Sequence, residues 1–331
     1  MSKYGTYIRI GVTVVFLAII GWRTNWEDVA TKFANLNFGL WFAAVGILVA
    51  AQFASAKRWQ VFARELQFQR SLSDYCAFYF IGMYFNLVLP TSVGGDVVRV
   101  WYLNANSGRR LAAFASVMLE RINGLLVLFV VACVGALLSP VPLPEWVHYT
   151  VWSLAGCAAV GLALLPLVPR ISWLPEQRRE QAQTVVQMMF VPRILLRATV
   201  TSIVVQGFGV LAVWCLGLSL GLDVPIAYYC ILGPMVSLLT LLPISVNGVG
   251  VREFGTYLFL AAVGVDESTS NTLAFLWFAA IVAVSLMGGA VYLSGAFGKA
   301  KPADDSKEGS QDGTVDRGAD QGRERELNKA A

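Results

Sequence analysis

Leu89–Arg99 reads LPTSVGGDVVR and Leu242–Arg252 reads LPISVNGVGVR, with the same Leu, Pro, Ser, Val, Gly, Val and Arg at the same offsets. Agreement at seven of eleven positions marks an internal repeat, and repeats constrain a fold before any single element does. Each copy follows an apolar run, Leu72 to Leu89 or Pro225 to Leu242, and precedes a shorter amphipathic stretch and then a long apolar one. The repeating units are therefore whole, about 36–138 and about 190–297. Pro90 and Pro243 read as helix breakers, because proline lacks the N–H that a helix interior needs.

Outward from the repeat, the chain is apolar throughout. It has 331 residues, 56% hydrophobic and 14% charged, with mean hydropathy +0.61 and net charge +4. That exceeds what a water-soluble core requires. Runs at Ile8–Trp22, Phe38–Ala56, Leu111–Leu138, Val147–Val168, Leu195–Leu220 and Thr272–Phe297 approach or exceed the ~20 residues that cross a bilayer. Trp22, Trp26, Trp41, Trp59, Trp146, Trp152 and Trp173 mostly fall near run ends, where indole prefers the headgroup layer. The first run has no small-residue cleavage pattern and reads as a retained helix. The five cysteines stand singly inside apolar runs, and the lone His148 cannot build a metal site, so neither a metal nor another cofactor is expected.

Basic residues collect in Lys57–Arg70, Arg99–Arg110, Arg170–Arg197 and Lys299–Lys301, which the positive-inside rule places in the cytoplasm. Ser139–His148, Gly221–Pro225 and Gly264–Asn271 carry acids and face out. Arg23–Lys32 has mixed charge and is assigned outside by alternation alone, which leaves both termini cytoplasmic. Lys57–Arg70, KRWQVFARELQFQR, sets Trp59, Phe62 and Leu66 on one face and reads either as an interfacial amphipathic helix or as a cytoplasmic helical loop. The tail 299–331 is polar and reads as disordered, with 1–298 as the transmembrane domain.

With an odd number of spans between the units, the second is inverted relative to the first. The expected fold is all-α, a polytopic helical membrane protein with two inverted repeats, each holding a broken helical hairpin. The returning arms, near Asp96–Gly108 and Gly250–Gly264, reach only about 20 Å, short of a ~30 Å core, so the hairpins read as re-entrant. Charge counting alone leaves fully crossing hairpins open. Irregular backbone at that depth survives inside protein or against a wet cavity, and inverted repeats with broken helices are how many transporters build a substrate site.

NLVLPTSVGGDVVR, the downstream LPISVNGVGVRE, and Glu120-Arg121 followed by Gly124 resemble the lysylphosphatidylglycerol synthase transmembrane, flippase-like family over about residues 5–297. The resemblance implies a translocator of aminoacylated or other polar phospholipid in the bacterial cytoplasmic (inner) membrane. It is similar to the membrane part of multiple peptide resistance factors. Those factors join this part to an aminoacyl-transferase domain, and nothing after Lys299 has the composition of one, so no enzyme activity is expected.

Charges within the hydrocarbon cost about 2.5–3.5 kcal/mol each on insertion scales and so need partners. Asp96, Arg99, Glu120, Arg121, Arg252 and Glu253 are such charges. Arg99 and Arg252 hold matching repeat positions, and a guanidinium fork binds two phosphate oxygens at once, so both are candidate headgroup ligands facing one cavity. Asp96, Glu120 and Glu253 are candidates to hold those arginines, to accept a headgroup amine or to carry protons. The turns at Gly94-Gly95 and Gly248–Gly250 offer amide donors at helix starts. Asn86, Ser92, Ser245 and Asn247 line a cavity or satisfy freed backbone groups. The alternative is that all six charges pair internally and lock the broken helices in place. The expected partner is a membrane phospholipid or lipid-linked substrate, not nucleic acid, with a homo-oligomer or envelope-synthesis partners left open. A lipid-linked envelope enzyme or a scaffold are the rival functions.

Overall fold

The computed structural model describes residues 26–89, 94–105, 107–170, 175–242 and 244–296. Pro90, Ser92, Pro243, the run Ile8–Trp22 and the tail 299–331 lie outside the described residues. The rest is helical, with no strand among the described residues. The helices are α1 (Trp26–Ala34), α2 (Phe38–Glu65), α3 (Leu72–Val88), α4 (Gly94–Asn104), α5 (Arg110–Leu138), α6 (Glu145–Leu164), α7 (Glu176–Met189), α8 (Pro192–Ser219), α9 (Ile226–Leu241), α10 (Val251–Ala261) and α11 (Glu267–Leu293). A 3-10 segment, Leu165–Arg170, continues α6.

Local chemistry sets the helix ends. The Asn37 side chain accepts the Leu40 N–H at the start of α2, Ser71 and Asp74 form a reciprocal capping box at the start of α3, and Asp266 accepts the Thr269 N–H at the start of α11. Burial raises the Asp266 carboxyl, but hydrogen bonds from Thr269 and the nearby Lys32 ammonium outweigh it and hold the group down at about 2.

Five segments are long and apolar enough to cross a membrane: α2, α5, Glu145–Arg170, α8 and α11. Large apolar side chains stand exposed along α5, α6 and α8, including Leu137, Leu138, Tyr149, Val160, Leu196 and Val200. In α6 only Val147 and Val151 are buried. A helix with such a surface suits hydrocarbon rather than water. The chain is a multi-pass membrane protein.

Two sets of four helices have nearly the same lengths: 28, 17, 11 and 29 residues for α2 to α5, and 28, 16, 11 and 27 for α8 to α11. Their packing also matches. α2 runs along α8, α3 lies against α11, and α9 lies against α5, so exchanging the two sets leaves the neighbour relations unchanged. Glycines let these helices close up. A Cβ on Gly288 of α11 would sit 1.9 Å from the Phe80 carbonyl oxygen of α3, and one on Gly135 of α5 would sit 2.7 Å from Cys230 Cβ of α9. Gly288→Ala must therefore push α3 and α11 apart. We expect it to lower thermal stability by about 1–3 kcal/mol in detergent, whereas Gly156→Ala, where a Cβ meets nothing, should leave stability unchanged. Equal melting temperatures for the two variants would refute this packing.

Lys57–Arg70 takes neither form expected from its sequence. Lys57–Glu65 simply extends α2, and Arg58, Trp59, Gln60, Phe62 and Ala63 are buried in the protein. Trp59 Nε1 donates to Ser116 Oγ at 3.0 Å, so this face packs on α5 instead of lying on a membrane surface.

The loops sort onto two ends of the bundle. Arg70 donates to the Ala105 carbonyl and Arg109 to the Leu66 carbonyl, which joins the start of α3 to the end of α4. At the other end, Lys32 reaches Asp266 at 3.0 Å, the Asn37 N–H reaches the Ser219 carbonyl, and Trp146 packs on Phe259.

Candidate functional site at the interrupted helices

Both four-helix sets break at their second connection, and the two breaks touch. Asn247 adopts a left-handed φ of 53° and donates its Nδ2 to the Leu87 carbonyl at 2.9 Å, so a residue of the second break satisfies the end of α3. Within the first break, Asn86 Oδ1 accepts the Gly95 N–H at 2.7 Å. Gly248 and Gly250 also take positive φ, 72° and 84°, conformations that side chains with a Cβ resist. The Gly95 amide is therefore taken by Asn86, and the Gly250 amide by the Glu253 carboxylate at 2.6 Å, and neither is a free anion donor. What Gly95 supplies is closeness: a Cβ there would stand 2.0 Å from the Gly82 carbonyl oxygen of α3.

Next to the first break lies a buried ion network. Glu120, 1% exposed, accepts from Arg58 Nε at 3.1 Å and from Arg58 Nη2 through one oxygen, and from Arg99 Nη2 at 3.1 Å through the other. Arg99 also reaches Asp96 at 3.3 Å, and its guanidinium lies 4.3 Å from the Trp59 ring centroid and 4.2 Å from that of Tyr79. Asp96 in turn holds Arg121 at 2.8 Å. Arg58 Nη1 donates to Ser202 Oγ at 3.0 Å, and Ser202 donates to Asn123 Oδ1 at 2.6 Å. The network thus ties α2, α4, α5 and α8 together. It contains three guanidinium groups and two carboxylates, and Arg121, with 38% of its side chain exposed, is where it meets open space.

That space is a cleft of about 210 Å³ at the meeting of the breaks, lined among others by Asn86, Arg121, Thr240, Asn247, Arg252 and Phe278. Arg252 is 7% exposed. One Nη donates to the Asn247 carbonyl at a long 3.4 Å, the guanidinium sits 5.2 Å from the Phe278 ring centroid, and the other Nη has no hydrogen-bond partner among the described residues. No ion pair to Arg252 forms among the described residues.

The expectation that Arg99 and Arg252 share one cavity needs correction: Arg121 and Arg252 share it, and Arg99 is enclosed in the network. The repeat matches these arginines in sequence, but their surroundings differ. The first set has Asp96 three residues before its arginine and Glu120 on α5, whereas Val249 stands in the first place and α11 has no acid beyond Glu267. Arg99 is therefore neutralised and withdrawn, and Arg252 stands at the cleft without an ion pair among the described residues. Glu253 caps the start of α10, and Ser245 is buried with no partner for its hydroxyl among the described residues; neither is among the described residues lining the cleft.

Arg58, Asn123 and Ser202 belong to the network and were not singled out from the sequence. A signal did exist in Gly124, one turn beyond Glu120. A Cβ there would lie 2.8 Å from Arg58 Nη1, so the glycine clears room for a long side chain from another helix.

A model of the lysylphosphatidylglycerol synthase transmembrane region matches residues 7–289. The chain belongs to that family. No curated protein and no solved structure matches it. Membership fits a lipid-related function in a membrane.

Proposed function

We propose that this protein translocates a polar phospholipid or lipid-linked headgroup across the bacterial cytoplasmic membrane, without modifying it, and that the cleft between the interrupted helices receives the phosphate. The observation that carries the reading is Arg252, a nearly buried guanidinium with no counter-ion among the described residues and an unpartnered Nη, at the wall of an open cleft. Burying an uncompensated cation is costly, and a phosphate that arrives and leaves lowers that cost only while it is bound. Arg121 supplies a second guanidinium and Asn86 and Asn247 polar edges. Lipid transport activity in liposomes, tested with labelled aminoacyl, glycosyl, undecaprenyl and plain phospholipids, decides the matter. Movement of an unaltered lipid is expected, and chemical change of the lipid would identify an enzyme instead.

The same reading takes the two helix sets as inverted repeats and each broken pair as a re-entrant hairpin. Supporting it are the exchange-invariant packing, the 11-residue returning helices, which span about 16 Å, and the hydrogen bonds that bring each end of the first hairpin to the other. Both termini are then cytoplasmic. In a background without native cysteines, cysteines placed at Gly264 and Pro142 should react with an impermeant thiol reagent from outside, and one at Gly108 only after the membrane is opened. Reaction of Gly264 and Gly108 from the same side would overturn the inverted arrangement.

A further inference from the structure

A second concavity lies away from the interrupted helices, between the end of α2 and the first turns of α8. It encloses about 530 Å³, and its wall combines Lys57, Arg64 and Arg197 with Val61, Leu196 and Val200. Among the described residues, three cationic side chains face one carboxylate there, Glu65. The Lys57 ammonium donates only to Gln60 Oε1, at 3.0 Å, and neither the Arg64 nor the Arg197 guanidinium makes an ion pair or a hydrogen bond among the described residues. The apolar wall opens outward: Leu196 is 67% and Val200 53% exposed, on a helix that is one of the membrane spans.

From this geometry we infer that the α2–α8 groove is a binding site for an anionic glycerophospholipid, distinct from the translocation cleft. The phosphodiester lies against Lys57, Arg64 and Arg197, and the acyl chains descend over Val61, Leu196 and Val200. Each half of the groove matches a half of such a lipid. Unpaired cations at the end of a span attract a phosphate, more strongly where the neighbouring carboxylates are few, and apolar residues exposed on the span accept chains without an ordering cost to the protein. The α8 N-terminus adds a favourable dipole end for an anion. A zwitterionic lipid gains less, because its choline would face the same cations. The lipid also has a structural consequence. Arg58 and Ser202, which join α2 to α8 through the ion network, are direct chain neighbours of the groove residues Lys57 and Thr201, so an occupied groove clamps the helix pair next to that network.

The inference requires only that the chain spans a membrane and does not depend on lipid transport. Delipidated full-length protein in dodecylmaltoside is titrated with phosphatidylglycerol and, separately, with phosphatidylcholine, read by native mass spectrometry and by melting temperature. The wild type is expected to bind phosphatidylglycerol at least about tenfold more tightly than phosphatidylcholine, to melt higher with it, and to lose most of that preference when salt rises from about 0.1 M to about 1 M. The triple variant Lys57→Gln, Arg64→Gln, Arg197→Gln should lose the preference. Should it fail to fold, Arg197→Gln alone is expected to weaken phosphatidylglycerol binding at least about threefold. Arg252→Lys should keep the groove binding intact, so an inactive cleft and an empty groove give different results. Equal affinity of the wild type for the two lipids, or an unchanged preference in the groove variants, overturns the proposal.

Discussion

Glu120→Ala is expected to destabilise the protein more than any other single change in the ion network, lowering its melting temperature in detergent by on the order of 10 °C. Glu120 is 1% exposed and neutralises two guanidinium groups from two other helices, Arg58 of α2 and Arg99 of α4. Removing one partner of a buried pair costs about 3–5 kcal/mol because the other charge is left in a medium that solvates it poorly. Here Arg58 loses its carboxylate partner and Arg99 is left with Asp96 alone, at 3.3 Å, so the upper end of that range applies. Arg58→Ala should cost less than Glu120→Ala, since Glu120 still has Arg99, and Arg99 still has Asp96. The pair Arg58→Met with Glu120→Leu should recover part of the loss, because Arg58 no longer leaves a stranded charge, while Arg99 keeps Asp96 as its partner. Thermal scans of the purified variants rank them directly. A melting temperature for Glu120→Ala within about 2 °C of the wild type would show that water reaches the network and that its members are solvated.

Arg252→Lys is the second large effect, on transport and not on stability. The guanidinium has no ion pair to lose among the described residues, so the folded protein should tolerate an ammonium there, and Lys keeps the charge. It loses the planar fork that grips two phosphate oxygens. A hydrogen bond between charged groups is worth about 1.5–3 kcal/mol, so transport in liposomes should fall roughly tenfold to a hundredfold with the melting temperature unchanged. Arg252→Ala should fall further. Arg99→Lys should behave differently, losing stability and transport together, since Arg99 bonds two carboxylates and stacks between Trp59 and Tyr79. Wild-type transport by well-folded Arg252→Ala would remove Arg252 from the path of the lipid. A parallel loss of stability and transport in Arg252→Lys would make it a structural residue like Arg99.

Much of this architecture is legible in the sequence, because the forces that decide it act over short distances along the chain. Hydrophobic length identified α2, α5, α6, α8 and α11, and the repeated LPxSV…VR stretches located both interruptions. Asp96, Glu120 and Arg121 were recognisable as charges that need partners, since a bilayer leaves no cheap alternative. Which partner each one finds is a different kind of fact. Arg99 and Arg252 are indistinguishable by register, yet one is enclosed by two acids and two rings while the other stands at an open cleft, because Glu120 and Trp59 come from helices far away in sequence. Arg58 was read as part of a surface stretch for the same reason: only the arrival of α5, with Gly124 making room, gives it a buried counter-ion. The groove between α2 and α8 likewise exists only once residues about 140 positions apart are side by side. The sequence by itself determined the membrane class, the paired four-helix sets and the short list of charges. Tertiary structure alone decided which charges cancel and which remain available to a ligand, because electrostatic compensation depends on distances of about 3 Å between groups that the chain brings together only when folded.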